Sequence, residues 1–194
     1  MALTRRETLA GLLAGVAGTA VGCGRASASE EVLLRPPTAS EDFTSRCIRC
    51  FRCGEVCTAG CIEFHAPWAS PELAGTPYIR ARDAGCNTCT ECTKVCPTGA
   101  LTSIEPEQVL DEVDMGLAYV DEDLCLSFLG RVCGVCHDAC PFPGEAIVLE
   151  SRAQPKVLLA CVGCGRCEER CPQLPSAIRV FVEEPTSPRW ERPA

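Results

Sequence analysis

The sequence predicts an α+β fold, loop-rich, assembled from four short repeated units and held together by bound metal more than by an apolar core. Three observations predict it. The chain carries 18 cysteines in 194 residues and only 5% aromatic residues, which is little bulky material for an ordinary core of that length. Sixteen of those cysteines fall into four runs that share one rhythm. Short apolar stretches of strand length separate the runs, marked off by proline and glycine. Cysteine at this density in an exported chain suggests a disulfide scaffold by default, so spacing, not count, has to decide for metal.

Export is read from the first residues. Thr4-Arg5-Arg6-Glu7-Thr8-Leu9 holds a twin-arginine pair, followed by an uncharged Ala/Gly/Leu-rich run to Gly22. That run is too short and too glycine-rich for a membrane span. Residues 1–28 are therefore expected to be an export signal. Ala26-Ser27-Ala28 offers a small-x-small cleavage site, whereas Ala20-Val21-Gly22-Cys23 resembles a lipoprotein box without its usual leucine. Plain cleavage or retention is favoured over lipid attachment at Cys23. Without residues 1–28 the balance is 15 basic against 25 acidic residues, which opposes nucleic-acid binding and points to protein partners with basic faces.

Residues 29–45 are polar, with Pro36-Pro37 enforcing an extended path, and read as a linker. The first run is Cys47-Ile-Arg-Cys50-Phe-Arg-Cys53-Gly-Glu-Val-Cys57, with Thr58 where a proline would be expected and a surplus Cys61 four residues on. Cys61 is read as a small buried thiol, with replacement of Cys57 as ligand the alternative. Arg46, Arg49 and Arg52 surround the run; they offset cluster charge, dock an acidic partner, or form a solvated face. Residues 62–85, with Pro67, Pro71 and Pro77, read as a surface loop in which His65 is exposed. A short strand at Tyr78–Arg82 ends it.

The second run, Cys86-Asn-Thr-Cys89-Thr-Glu-Cys92-Thr-Lys-Val-Cys96-Pro97, is regular, and the acidic Glu105–Asp114 after it reads as a solvated connection before a strand at Leu117–Val120. In the third run Cys125 stands apart from Cys133-Gly-Val-Cys136-His-Asp-Ala-Cys140-Pro141. A longer gap is tolerable because a loop lengthens cheaply while its ends stay fixed, and Leu126–Leu129 is expected to cover the cluster. Cys133-Gly-Val-Cys136-His137 also satisfies the C-x-x-C-H haem-attachment motif. Cys125, Cys140 and Pro141 fit the grammar of the other runs, so cluster ligation is preferred and His137 is read as an exposed neighbour. Ala146–Leu149 and Lys156–Leu159 read as two strands joined by a turn. The fourth run, Cys161-Val-Gly-Cys164-Gly-Arg-Cys167-Glu-Glu-Arg-Cys171-Pro172, leads to a strand at Ile178–Val182, and residues 183–194, with Trp190, read as a flexible tail.

The shared rhythm is C-x2-C-x2-C-x3-C-P, in which three thiolates hold one four-iron cube and the fourth reaches a second. Gly163 and Gly165 allow the tight bends that turn amides toward sulfur. Sixteen thiolates thus suit four [4Fe–4S] clusters, and the unit of strand, cysteine loop, short helix and strand is the bacterial ferredoxin half-domain. The prediction is tandem two-cluster ferredoxin-like modules over residues 46–182. No nucleophile and base, phosphate loop or nucleotide fingerprint is visible, so an electron-transfer component, not an enzyme, is expected. The alternative is a tightly bound iron–sulfur subunit of a molybdenum or hydrogenase-type enzyme. A zinc- or disulfide-stabilised module is the third reading.

Arg46 to Cys50, Cys125 to Cys136 and Cys161 to Glu168, behind the twin-arginine leader, resemble the NapG/MauM family of ferredoxin-type proteins over nearly all of residues 4–182. Thr58, Cys61 and the regular gap between Cys89 and Cys92 depart from the family pattern. The resemblance implies a periplasmic electron carrier, peripheral or lipid-anchored at most. Its implied partners are a membrane quinol-oxidising iron–sulfur protein and a periplasmic oxidoreductase. A further likeness, to four-cluster electron-transfer subunits, implies pairing of the second run with the third and of the first with the fourth. That would group Cys86, Cys89, Cys92 with Cys140; Cys125, Cys133, Cys136 with Cys96; Cys47, Cys50, Cys53 with Cys171; and Cys161, Cys164, Cys167 with Cys57. The residues themselves leave pairing of adjacent runs open.

Overall fold

The computed structural model describes residues 33–182, Ala69 excepted. The expected export segment with Cys23 and the expected tail with Trp190 lie outside the described residues. The order along the chain is α1 (Phe43–Arg46), α2 (Arg52–Glu55), β1 (Ile62–Phe64), β2 (Pro77–Ile79), α3 (Glu91–Lys94), α4 (Val109–Glu112), β3 (Leu117–Val120), α5 (Val135–Asp138), β4 (Ile147–Leu149), β5 (Pro155–Val157), α6 (Arg166–Arg170) and β6 (Ile178–Phe181). None of these helices is long and apolar enough to cross a membrane.

All four cysteine runs fold alike. The residue after the second thiol adopts a left-handed conformation and caps a one-turn helix: Phe51 before α2 (φ 64°), Thr90 before α3 (62°), Gly134 before α5 (84°) and Gly165 before α6 (80°). That helix carries the third thiol, and the fourth follows its end. Three antiparallel two-stranded sheets complete the fold, β1 with β2, β4 with β5, and β3 with β6. The first two are hairpins inserted between consecutive runs. The third joins the entrance of the third run to the exit of the fourth, with Ala118 opposite Val180. The predicted strands at 117–120, 146–149, 156–159 and 178–182 are present, each within a few residues of its expected bounds.

Three readings change. From Leu33 onward the expected linker is part of the packed body: Leu34 is 1% exposed and exchanges both backbone hydrogen bonds with Ile79, at 2.9 and 2.8 Å. Thr38–Ser40 pairs with Ala100–Thr102, so this stretch closes the first module as β3 and β6 close the second. The polar composition hid two apolar anchors, Leu34 and Phe43, and a ladder built mostly from backbone. Residues 62–85 contain β1 as well as β2, so the expected loop is a hairpin. The acidic connection is nailed down by Val109 and Val113, both buried, behind a capping box between Glu105 and Gln108; its carboxylates stay in solvent, as expected.

The two modules meet backbone to backbone. Cys86 donates its N–H to the Cys164 carbonyl at 2.7 Å, and Gly85 donates to Glu169 Oε2 at 3.0 Å. A β-carbon on Gly85 would lie 2.6 Å from the Arg166 nitrogen, so only glycine permits this approach. Arg82 spans the seam, donating to the carbonyls of Glu168 at 2.7 Å, Cys171 at 2.9 Å and Gln173 at 3.2 Å. Arg82→Ala should cost on the order of 3 kcal/mol, given about 1.5–3 kcal/mol for a single charge-assisted bond and incomplete additivity. Arg82→Lys, lacking the fork, should recover only part of that. Thermal unfolding of the anaerobically prepared protein measures both.

Candidate metal centres

Each cavity at the heart of a module is walled by cysteines from two runs. One holds Cys47, Cys50 and Cys53 with Cys96. Its neighbour holds Cys86, Cys89 and Cys92 with Cys57, and Cys61 besides. In the second module, Cys125, Cys133 and Cys136 meet Cys171, and Cys161, Cys164 and Cys167 meet Cys140. The fourth cysteine of each run therefore crosses into the partner run's site, as the ferredoxin pattern requires. The structure brings together adjacent runs, first with second and third with fourth. The expected grouping of second with third and first with fourth is corrected: the β1–β2 hairpin folds the second run back onto the first and the β4–β5 hairpin folds the fourth back onto the third, whereas α4 and β3, paired with β6, stand between the second run and the third.

All seventeen described cysteines are free thiols, which removes the disulfide scaffold. The donors fit a cluster in three ways. First, the residues on both sides of the second thiol are left-handed in three of the four runs: Arg49 and Phe51, Thr88 and Thr90, Gly163 and Gly165. Four of these are not glycine, a strain of about 1–2 kcal/mol each, and such strain persists where a ligand clamp over-determines the backbone. Second, backbone N–H groups of Thr88, Leu101 and Ala177 point at the sulfurs of Cys86, Cys96 and Cys171, each at 3.4 Å, the arrangement that stabilises anionic sulfur. Third, two cavities contain a buried hydroxyl with no hydrogen-bond partner, Thr90 Oγ1 and Ser127 Oγ. A donor stranded there is satisfied by cluster sulfide or bound thiolate, and hydrogen bonds to sulfur raise cluster potentials.

Several of these thiols resist ionisation. Burial pushes Cys53 up to about 11 and Cys92, Cys136 and Cys164 up to about 12. Neighbouring thiols add to this. The four cavities form one file, in the order of the first, second, fourth and third runs: α2 packs on α3, Cys86 bonds Cys164, and α5 packs on α6.

Cys50 is the one exposed thiol among those described, so the first cavity opens to solvent at an end of the file. Ile48 and Phe51 are 61% and 47% exposed beside it, with Arg46 and Arg52. Arg49, read with them as a free charge, instead ties its guanidinium to the carbonyls of Ala74 and Glu72, each at 2.8 Å. Leu126 and Ser127 line the third cavity as expected, but Leu129 is 57% exposed and covers nothing. His137 does not line that cavity and pairs, half-buried, with Asp138 at 3.2 Å, while Cys133 and Cys136 wall the cavity together with Cys125 and Cys171, against the haem reading. His65, expected to be exposed, is half-buried and lies 4.5 Å from the Tyr78 ring. Glu168, which the sequence offered only as part of a motif, is buried and accepts the Val180 N–H at 2.8 Å. That bond fixes the edge of β6 to α6.

Comparison with known proteins finds the same repeated unit, in two matches that follow the modules and one that straddles them. Three family models, each described as a 4Fe-4S dicluster domain, match residues 46–100, 85–143 and 117–172. The first and last coincide with the two modules. The chain is 43% identical to the "Ferredoxin-type protein NapG" of Escherichia coli, over 89% of this chain and 80% of that one. It is 38% identical to the "Methylamine utilization ferredoxin-type protein MauM" of Methylobacillus flagellatus, over 94% and 81%. The NapG of Haemophilus influenzae is 38% identical over 89% of this chain and 67% of its own.

Proposed function

This chain belongs to the NapG/MauM family of ferredoxin-type proteins and is an iron–sulfur electron carrier with four [4Fe–4S] clusters, and we propose that it relays single electrons end to end between a quinol-oxidising partner at the membrane and an oxidoreductase of the periplasm. The sixteen ligands are Cys47, Cys50, Cys53 and Cys96; Cys86, Cys89, Cys92 and Cys57; Cys161, Cys164, Cys167 and Cys140; and Cys125, Cys133, Cys136 and Cys171. Bound clusters supply one-electron redox chemistry. The protein's own residues hold the cubes in file, shield the inner ones with Val162, Ile147 and Ile79, and aim amides and hydroxyls at their sulfurs.

The observation that carries the reading is the continuous file. The ligand-loop helix α2 packs on α3, the Cys86 N–H bonds the Cys164 carbonyl at 2.7 Å, and α5 packs on α6, so each site adjoins the next and none stands apart. No substrate cleft is needed for such a task. The export signal at residues 1–28 belongs to the proposal, because a twin-arginine route suits a protein loaded with cofactor before it crosses the membrane.

Anaerobically prepared protein should contain about sixteen iron and sixteen sulfide per chain, four of each per cluster. Stepwise reduction followed by low-temperature EPR should show the spectra of neighbouring reduced clusters broadened by mutual coupling. Four uncoupled signals would defeat the relay, and co-purification with a large catalytic chain would recast the protein as a permanent subunit.

A further inference from the structure

One cavity has five thiols where a cluster takes four. Besides Cys57, Cys86, Cys89 and Cys92, its wall includes Cys61, which is 2% exposed. The Cys61 sulfur lies 3.6 Å from that of Cys57, and the same wall carries Cys86. It is therefore inside the ligand set, not beside it.

The backbone explains how two thiols come to share one place. Thr58-Ala59-Gly60 forms a tight turn, with the Gly60 N–H on the Cys57 carbonyl at 3.1 Å and Gly60 at φ 62°. The turn folds Cys61 back against Cys57 before β1 begins. The other three runs follow their fourth cysteine with Pro97, Pro141 and Pro172, which lock the exit at one φ. Thr58 imposes no such lock. Its hydroxyl instead donates to the Cys89 sulfur at 3.5 Å and accepts from Asn87 at 2.9 Å, bonds that can be remade when the turn shifts.

We propose that Cys61 is a second, interchangeable fourth ligand for the site of Cys86, Cys89 and Cys92. The inference rests on the ligand assignment given above for that site. In the exchange, the iron–sulfur bond to Cys57 breaks as one to Cys61 forms. The proton leaves the Cys61 sulfur and ends on the Cys57 sulfur across the gap between them. No electron is gained or lost. The site sits where the first module abuts the second, so the two ligations give the junction of the relay two settings.

The test is iron and sulfide content with low-temperature EPR on the full chain carrying Cys57→Ala, Cys61→Ala, both, or Cys86→Ala. Cys57→Ala should keep all four clusters, with one EPR component and its midpoint potential shifted. The double variant should lose about a quarter of its iron or show a three-iron centre. Cys61→Ala alone should keep all four. Equal loss in Cys57→Ala and in the double variant overturns the proposal. So does failure of Cys57→Ala to fold when Cys61→Ala folds, because the spare thiol is what would rescue it. Cys86→Ala, made in the Cys61→Ala background so that no spare thiol can stand in, separates the two levels: if that variant keeps four clusters, the site assignment itself has failed, whatever Cys57→Ala does.

Discussion

The double variant Cys47→Ala/Cys96→Ala should lose one cluster, about four of about sixteen irons, whereas Cys96→Ala/Cys125→Ala should lose two. The difference follows from which thiols share a cavity. Cys96 stands with Cys47, Cys50 and Cys53, so removing a second member of that set takes nothing further. Cys125 stands with Cys171 in the other module, so its loss is independent and the effects add. Pairing of the second run with the third would reverse the outcome, because Cys96 and Cys125 would then serve one cluster. Iron and sulfide analysis decides it without knowledge of any partner. The EPR component that vanishes with Cys96 should also be the one most open to small oxidants, since the exposed Cys50 lies in the same set.

Gly163→Ala should destabilise the second module by on the order of 4 kcal/mol, near the upper end for single substitutions. Two causes act together. Gly163 has φ 69°, where a side chain costs about 1–2 kcal/mol. Its β-carbon would also lie 2.4 Å from the Gly116 oxygen and 2.6 Å from the Gly116 nitrogen, which are backbone atoms with no room to give. Gly116 is itself wedged against Phe181, where an added β-carbon would lie 2.3 Å from the carbonyl oxygen, so the strain passes into the β3 and β6 pairing. Gly99→Ala is the control: φ 64° and nothing within 4 Å, hence only the conformational cost. Loss of visible cluster absorbance on heating should come many degrees earlier in Gly163→Ala and only slightly earlier in Gly99→Ala.

The gathering of cysteines was legible because thiolates at x2, x2, x3 spacing have one common use, and the four cavities bring together the sixteen that the spacing picks out, with Cys61 besides. Pairing was not legible. Each fourth cysteine declares that it leaves its own cluster but not where it goes, and that depends on hairpins such as β1 with β2, three residues a side, too short to show a period. The packed stretch before Cys47 escaped notice for a similar reason. Leu34 and Phe43 are its two apolar anchors, and the pairing of Thr38–Ser40 with Ala100–Thr102 uses groups every residue has. Arg82 gave no signal at all, since its three acceptors are main-chain carbonyls of residues some ninety positions away.

Spatial order and synthetic order differ in this chain. The fourth run lies between the second and the third in the file, joined to the second by the Cys86 to Cys164 bond. Of the last cysteines to leave the ribosome, Cys161, Cys164 and Cys167 therefore complete an inner rung and Cys171 completes the outer rung of the third run. A nascent or truncated polypeptide ending before residue 161 lacks that inner rung and the fourth thiol of that outer one. It cannot conduct from one end to the other until translation is finished.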